Sequence, residues 1–277
     1  MCFPDDVVDY ILSFLRSDLY TLKQCAQSHS TLSKLSEHHI YANVILCDDF
    51  FAVRQNRHSI ATSEFIKILG SRPGIAKHVR SLTIRVETHG QMLMSEHLCG
   101  VASLLPTFSG LNDLEIKTFN GCFSWPRLPC MFHQSFLDFL RSQGKKKVWI
   151  CGAQHFPLSL LDTCKNVKVT LDKCEYTQYD KGSNTKDMSL EPFEHLSLLR
   201  CSEACLESVI AWPRIRSLHS LEYRVGWCGE EPRNILPRMI VACSNSLTNF
   251  CLDINYYCAS PIAKPQSTLK FSIRFTS

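Results

Sequence analysis

The sequence is poor in glycine and proline, lacks a long apolar run and carries no large excess of charge. Only 11 glycines and 12 prolines occur among its 277 residues, which excludes collagen-like repeats and wholesale disorder. No apolar run approaches the roughly 18 residues that a membrane span needs. The 30 lysines and arginines exceed the 26 aspartates and glutamates by four, and they are spread along the chain. Neither nucleic acid nor a membrane is therefore an expected partner.

Signals for secretion are also missing. The first six residues, MCFPDD, contain no positive segment and no uninterrupted apolar segment, and no Asn-x-Ser/Thr acceptor occurs in the chain. We therefore expect an intracellular location, cytoplasmic or nuclear. The 15 cysteines are then expected to be reduced and to fill core positions rather than form disulfides.

Three short helices are predicted in the first 40 residues. The first follows Pro4 and an acidic pair, and its apolar residues recur at i, i+3, i+4 and i+7. Ser17 or Asp18 is expected to cap the second helix, and Ser28 or Ser30 the third. So short a segment cannot hide all of these apolar faces, and some should meet another surface. The apolar stripe of the first helix comprises Val8, Ile11, Leu12 and Leu15, and that of the second comprises Leu19, Leu22, Cys25 and Ala26.

From Ile40 onward, short strand-like segments alternate with helix-like segments. This alternation predicts parallel pairing, because the chain returns to the same end of the sheet before each new strand. A Leu-x-x-Leu-x-apolar pattern, or a close variant, begins at Val79, Leu111, Leu218 and Leu247. Such a unit cannot bury its apolar face alone, so neighbouring units must stack. Strands are predicted at 41–46, 79–86, 112–117, 147–151, 167–172, 196–200, 219–225, 248–254 and 270–275, and helices at 62–69, 95–105, 131–142, 203–212 and 234–243. Thr62 or Ser63 is expected to cap the helix at 62–69, and Gly70 to stop it.

Two polar segments and the last strand complete the predicted organisation. Residues 176–190 and 255–268 lack periodicity and are predicted to be exposed loops. The chain then ends on the strand-like segment 270–275, whereas a stacked array needs a polar terminal unit. We expect either that the chain is truncated or that something else covers its last edge.

The N-terminal residues resemble an F-box. The family pattern is Leu-Pro, a polar stretch, Ile-Leu-Ser-x-Leu, then Asp-Leu-x-x-Leu and a cysteine. Here residues 3–15 are FPDDVVDYILSFL, residues 18–22 are DLYTL, and Cys25 follows. Phe3 replaces the usual leucine, and residues 27–29, QSH, replace the Arg-x-Trp that often follows the cysteine. The remainder is similar to the leucine-rich-repeat-like halves of F-box proteins of mushroom-forming fungi.

The resemblance implies an α/β fold, with a three-helix F-box over residues 1–40 and an irregular leucine-rich-repeat-like solenoid with a parallel sheet over residues 41–277. It implies a substrate-recognition subunit of a Skp-cullin-F-box ubiquitin ligase, which is not an enzyme itself and uses no cofactor or metal. The F-box would dock on a Skp-type adaptor and through it on a cullin, and the solenoid would hold a protein substrate. The adaptor-binding residues carried over are Pro4, Ile11, Leu12, Leu15, Leu19 and Leu22.

Two alternatives to this role stay open. The chain could be a non-degradative interaction scaffold that binds the adaptor without a cullin or has lost adaptor binding. The apolar stripe of the first helix could also pack on the protein's own first repeat, and different helix faces could do both.

Substrate binding is expected on outward-facing strand positions and on the loops at the strand ends. Arg85, Lys117, Trp149 and Arg224 are the candidate contacts. The three cations among them suggest a mildly basic face for an acidic partner.

No motif has the spacing of a catalytic or metal site. Cys201-x₃-Cys205 is the closest cysteine pair, and no second pair or His-x₃₋₅-His follows, so both are predicted to lie in the core rather than bind zinc. His38 and His39 are predicted to be surface residues.

Overall fold

The computed structural model describes residues 4–16, 18–48, 59–86, 91–118, 121–142, 144–163, 167–175, 193–226, 234–256 and 267–274. Over these residues the chain is an α/β protein, with an N-terminal helical region followed by a mostly parallel sheet. It divides into two compact units, Met1–Glu115 with Pro129–Phe139 and Ile116–Leu128 with Leu140–Ser277. Phe3, the predicted loop 176–190 and most of the predicted loop 255–268 lie outside the described residues.

The first unit begins with the three predicted helices: α1 (Asp5–Ser13), α2 (Leu19–Ser28) and α3 (Ser30–Ile40). Asp18 caps α2, since its carboxylate accepts a hydrogen bond from the Thr21 backbone N–H at 3.0 Å. The predicted serine cap of α3 is wrong. His29 takes that place, because its Nδ1 accepts from the Thr31 N–H at 3.2 Å as a serine hydroxyl would.

The first unit continues with alternating strands and helices. Strand β1 pairs in parallel with both β2 and β3. The predicted Thr62 or Ser63 cap of α4 is also wrong, because the Thr62 hydroxyl instead contacts the Cys47 carbonyl and His97 Nδ1 in the interior. Gly70 does not stop that helix, which continues to Ser71. The elements are β1 (Asn43–Cys47), β2 (Ser59–Ala61), α4 (Thr62–Ser71), β3 (Ser81–Val86), α5 (Gln91–Leu104), β4 (Asp113–Thr118) and α6 (Cys130–Arg141), of which β4 and α6 each extend into the second unit.

The second unit contains a six-stranded run in the order β6 (Lys146–Cys151), β8 (Val167–Asp172), β9 (Phe193–Leu199), β10 (Leu218–Gly226), β11 (Asn249–Tyr256) and β12 (Ser267–Arg274). All of its pairs are parallel except the last, in which β12 runs antiparallel to β11. The predicted all-parallel sheet is therefore corrected at β12, because only residues 257–266 join it to β11 and a parallel crossover needs a dozen residues or more. The other elements are β5 (Phe123–Ser124), β7 (Ala153–Gln154), α7 (Glu203–Ala211) and α8 (Ile235–Cys243).

The repeated apolar positions lie in the core. The residues that open the four patterns, Val79, Leu111, Leu218 and Leu247, are all buried. The apolar strand residues that follow them, such as Leu82 and Ile84 in β3, are buried as well. This burial is the packing that the spacing predicted, while the assignment to a leucine-rich-repeat solenoid stays a prediction. None of the described helices is long and apolar enough to cross a membrane.

Candidate functional site

Helix α1 exposes a row of apolar side chains along one face. We call Val7, Tyr10, Ile11 and Phe14 the α1 apolar row; they are 39%, 65%, 51% and 68% exposed. Their spacing of i, i+3, i+4 and i+7 places them side by side. The rings of Tyr10 and Phe14 meet edge to face with centroids 4.9 Å apart. Four adjacent apolar side chains left in water on so short a helix are a typical feature of a surface that binds a partner.

The other side of α1 is fixed to the rest of the first unit. Leu12 is 3% exposed and Leu22 of α2 is fully buried. The Arg16 Nε–H donates to His39 Nδ1 at 3.1 Å, and His39 Nε2 lies 3.0 Å from Asp9 Oδ1, which joins α1 to α3. His39 is buried, so its predicted surface position is wrong. Its ring is enclosed because it bridges Asp9 of α1 and Arg16, which follows that helix.

The predicted adaptor-binding residues divide between surface and interior. Pro4 and Ile11 are exposed, and Leu15 and Leu19 are half-buried. Leu12 and Leu22 point into the helical core, where a partner cannot contact them in this structure. Their assignment as docking residues stays a prediction for the adaptor complex, but in the chain by itself they stabilise the fold.

Sequence reasoning missed three of the four residues in the α1 apolar row, namely Val7, Tyr10 and Phe14. Positions 7, 10, 11 and 14 follow the same i, i+3, i+4, i+7 pattern as positions 8, 11, 12 and 15, displaced by one residue. Helix α1 is therefore apolar around much of its circumference. Periodicity alone cannot decide which stripe faces inward; in the structure Leu12 of the second stripe is buried, whereas the first stripe is exposed. Tyr20 of α2, 74% exposed, was missed in the same way.

The predicted substrate contacts lie in different units. Arg85 is a half-buried residue of the first unit, whereas Lys117, Trp149 and Arg224 belong to the second. Trp149 is exposed on β6, beside Thr170 of β8. Arg224 forms ion pairs with Asp253 at 2.8 Å and with Glu222 at 3.6 Å, so acidic neighbours offset its charge. The predicted basic face stays a prediction, and this cation is a weak contributor to it.

A polar row crosses strands β9 and β10 of the second unit. The Ser197 hydroxyl donates to Glu222 Oε2 at 2.9 Å, and its oxygen lies 2.8 Å from His195 Nε2. His195 Nδ1 lies 2.9 Å from the Ser220 hydroxyl. Burial lowers the pKa of His195, despite the nearby Glu222 carboxylate, so the ring is neutral near pH 7 and can accept one hydrogen bond while it donates another.

This polar row resembles a nucleophile, base and acid in composition, and it lies on strands whose backbone groups are used in pairing. Strands β9 and β10 are each paired on both sides. Their backbone N–H groups are therefore used in the ladder and cannot stabilise an oxyanion. The half-buried Ser220 hydroxyl, His195 imidazole and Glu222 carboxylate can still offer hydrogen bonds to a polar partner, whereas Ser197 is buried.

Cys201 and Cys205 lie in the second unit, and Cys174 from the loop after β8 lies beside Cys201. A hydrogen bond with Cys201, together with burial, raises the pKa of the Cys174 thiol well above its usual range. Cys174 and Cys205 are both buried and reduced. A protonated, enclosed thiol such as that of Cys174 is a poor nucleophile. The core position predicted for Cys205 is confirmed, whereas Cys201 is only half-buried.

Comparison with known proteins finds no relative: no protein-family model, no curated protein and no solved structure matches the chain. The resemblance to the F-box therefore depends on the N-terminal motif residues themselves.

Proposed function

We propose that the chain is a substrate-recognition subunit of a Skp-cullin-F-box ubiquitin ligase. Helices α1 to α3 dock on a Skp-type adaptor, and the strand-rich remainder of the chain holds a protein substrate for a separate ubiquitin-transferring enzyme. The chain itself performs no chemistry in this role.

The observation that carries the proposal is the α1 apolar row. It combines with the motif FPDDVVDYILSFL, because the exposed residues Tyr10, Ile11 and Phe14 fall inside that motif. Two aromatic rings at the centre of an interface are the kind of side chain that dominates binding energy. A partner with a complementary apolar groove would remove the row from water, as in other helix-in-groove complexes.

Substrate binding is assigned to the outward face of the second unit's strands. The buried Ser197 holds His195 and Glu222 in fixed positions. The half-buried His195, Ser220 and Glu222 then offer donors and acceptors, and Trp149 offers an exposed ring. A polar surface with an aromatic anchor suits a folded or extended protein segment better than a small molecule, which requires a concave pocket.

The experiment is affinity capture of the full chain with a purified Skp-type adaptor and cullin. The native chain is expected to retain both proteins. The double variant Ile11→Asp with Phe14→Asp is expected to retain neither, because docking would desolvate two carboxylates. Val241→Asp is the matched control, since Val241 is 72% exposed on α8 of the second unit and should have no effect.

Three outcomes separate the possibilities. Failure of the folded native chain to retain the adaptor contradicts the proposal, and so does equal capture by the double variant. Capture of the adaptor without the cullin favours the non-degradative scaffold instead.

A further inference from the structure

Three potential metal ligands converge between α1 and α3. Asp9 Oδ1 lies 2.9 Å from His38 Nε2 and 3.0 Å from His39 Nε2. The three atoms lie within 4.8 Å of one another. The His39 side chain is almost completely enclosed, whereas those of His38 and Asp9 are 33% and 40% exposed. The cluster is therefore buried on the side of His39 and open to solvent on the side of His38 and Asp9.

We infer that Asp9, His38 and His39 bind a divalent transition-metal ion. Zinc–nitrogen and zinc–oxygen bonds of about 2.1 Å place neighbouring tetrahedral ligands roughly 3.4 Å apart. The observed separations from Asp9 Oδ1 are 2.9 and 3.0 Å, so a retreat of the carboxylate by about 0.5 Å makes room for the ion. Two imidazoles and a carboxylate suit zinc, cobalt, nickel or copper, and a fourth position stays open to water.

This metal site differs from the expectation that the chain has none. The sequence does not show that Asp9, His38 and His39 lie close together. Asp9 is separated from the two histidines by about 30 residues, and adjacent histidines on a helix seldom share a ligand. Here both rings turn toward the same carboxylate oxygen, with centroids only 3.8 Å apart.

Arg16 opposes the metal. An arginine can only donate hydrogen bonds, so its contact with His39 Nδ1 at 3.1 Å makes that nitrogen the acceptor and places the ring proton on Nε2. A metal on Nε2 requires the opposite tautomer, whose Nδ1–H would face the Arg16 N–H. Arg16 is exposed and must turn away when the ion binds.

Because Arg16 competes with the metal, replacing Arg16 should strengthen metal binding. A cluster that only stabilises the fold would not show this effect. In the variant Arg16→Gln, the side-chain carbonyl can accept from the Nδ1–H of His39 and so orient the ring as a metal ligand. The variant should therefore bind the metal more tightly than the native chain does. The inference does not rest on the proposed function, because it concerns the isolated chain.

The experiment is calorimetric and spectroscopic titration of the full chain with cobalt(II) at pH 7.5. Cobalt is the probe because thiolate ligands produce an intense near-ultraviolet band that nitrogen and oxygen ligands lack, so binding to the 15 cysteines is recognisable. One ion per chain should bind without that band. We expect Asp9→Asn and His38→Gln each to weaken binding by about tenfold or more, and Arg16→Gln to strengthen it several-fold.

The exposed His219 supplies the matched control, since His219→Gln removes one histidine outside the cluster and should leave the affinity unchanged. Circular dichroism confirms that each variant is folded. Absence of binding by the native chain, an unchanged affinity in Asp9→Asn, or equal losses in the His38 and His219 variants would each overturn the inference.

Discussion

Two neighbouring residues of α1 should respond differently to the same truncation. Leu12 is 3% exposed and packs inside the helical region, whereas the adjacent Ile11 is 51% exposed in the α1 apolar row. We predict that Leu12→Ala lowers the stability of the fold and that Ile11→Ala lowers adaptor affinity. Leu12→Asp is unsuitable as a test of docking, because a charge at a buried position would unfold the helical region before it reported on any partner.

The magnitudes follow from exposure. Each truncation removes three carbon atoms, worth about 0.8 kcal/mol apiece when fully buried. For Leu12 this amounts to about 2.4 kcal/mol, and the cavity left behind raises the expected loss to roughly 2–5 kcal/mol. Half of Ile11 is already in water, so its truncation should cost the fold about 1 kcal/mol and the complex a similar amount, or roughly five- to tenfold in Kd.

Urea unfolding followed by circular dichroism measures the first effect, and calorimetric titration with the adaptor measures the second. The affinity of Leu12→Ala is corrected for its folded fraction, so that a lost docking contact is separated from lost folding. Equal destabilisation by the two variants would refute the reasoning. It would mean that α1 is rotated by about one residue, with the stripe 8, 11, 12 and 15 shared between core and surface.

Two further predictions concern the second unit. Ser202 caps α7 by accepting from the Cys205 N–H at 3.2 Å, so Ser202→Ala should lower the free energy of unfolding by about 1 kcal/mol, measured by urea titration against Ser202→Thr, which keeps the cap. Burial lowers the pKa of His195, so the unfolded chain takes up a proton more readily than the folded one; stability present above about pH 6.5 should be lost as the pH falls through the folded pKa. The variant His195→Asn should reduce this loss in unfolding midpoints measured from pH 7.5 to 5.5, and an unchanged pH dependence would exclude His195 as its source.

The main elements of the fold could be predicted because the periodicity of apolar residues along the sequence agrees with the residues that are buried. Each of the nine predicted strands and five predicted helices after Ile40 matches an element of the described chain to within four residues at either end. The strands β2, β5 and β7 were missed, since each spans only two or three residues and cannot show a period. The strand β12 was predicted, but its antiparallel direction was not, because alternation of helices and strands sets the direction only where a helix intervenes.

The candidate sites were harder to predict because they depend on contacts between distant residues. The convergence of Asp9 with His38 and His39, and the row of His195, Ser197, Ser220 and Glu222, join residues that no motif spacing connects. The cap of α4 was also hard to predict, because other groups compete for the Thr62 hydroxyl. Thr62 is a good capping residue by type, yet its hydroxyl contacts His97 at 2.6 Å instead, because an interior acceptor was available.

The exposed face of α1 depends on the polar groups behind it. A helix of nine residues is not stable in water by itself, because the free-energy cost of helix nucleation exceeds the stabilisation from its few hydrogen bonds. Leu12 supplies apolar burial, but a single leucine on a helix that is apolar on two adjoining stripes does not fix its rotation. The contacts from Asp9 and Arg16 to the buried ring of His39 do fix it, since both polar groups must face α3. The orientation that leaves Tyr10, Ile11 and Phe14 in water is therefore set by hydrogen bonds rather than by hydrophobic pattern, and any ion that ties Asp9 to His38 and His39 acts on the same orientation.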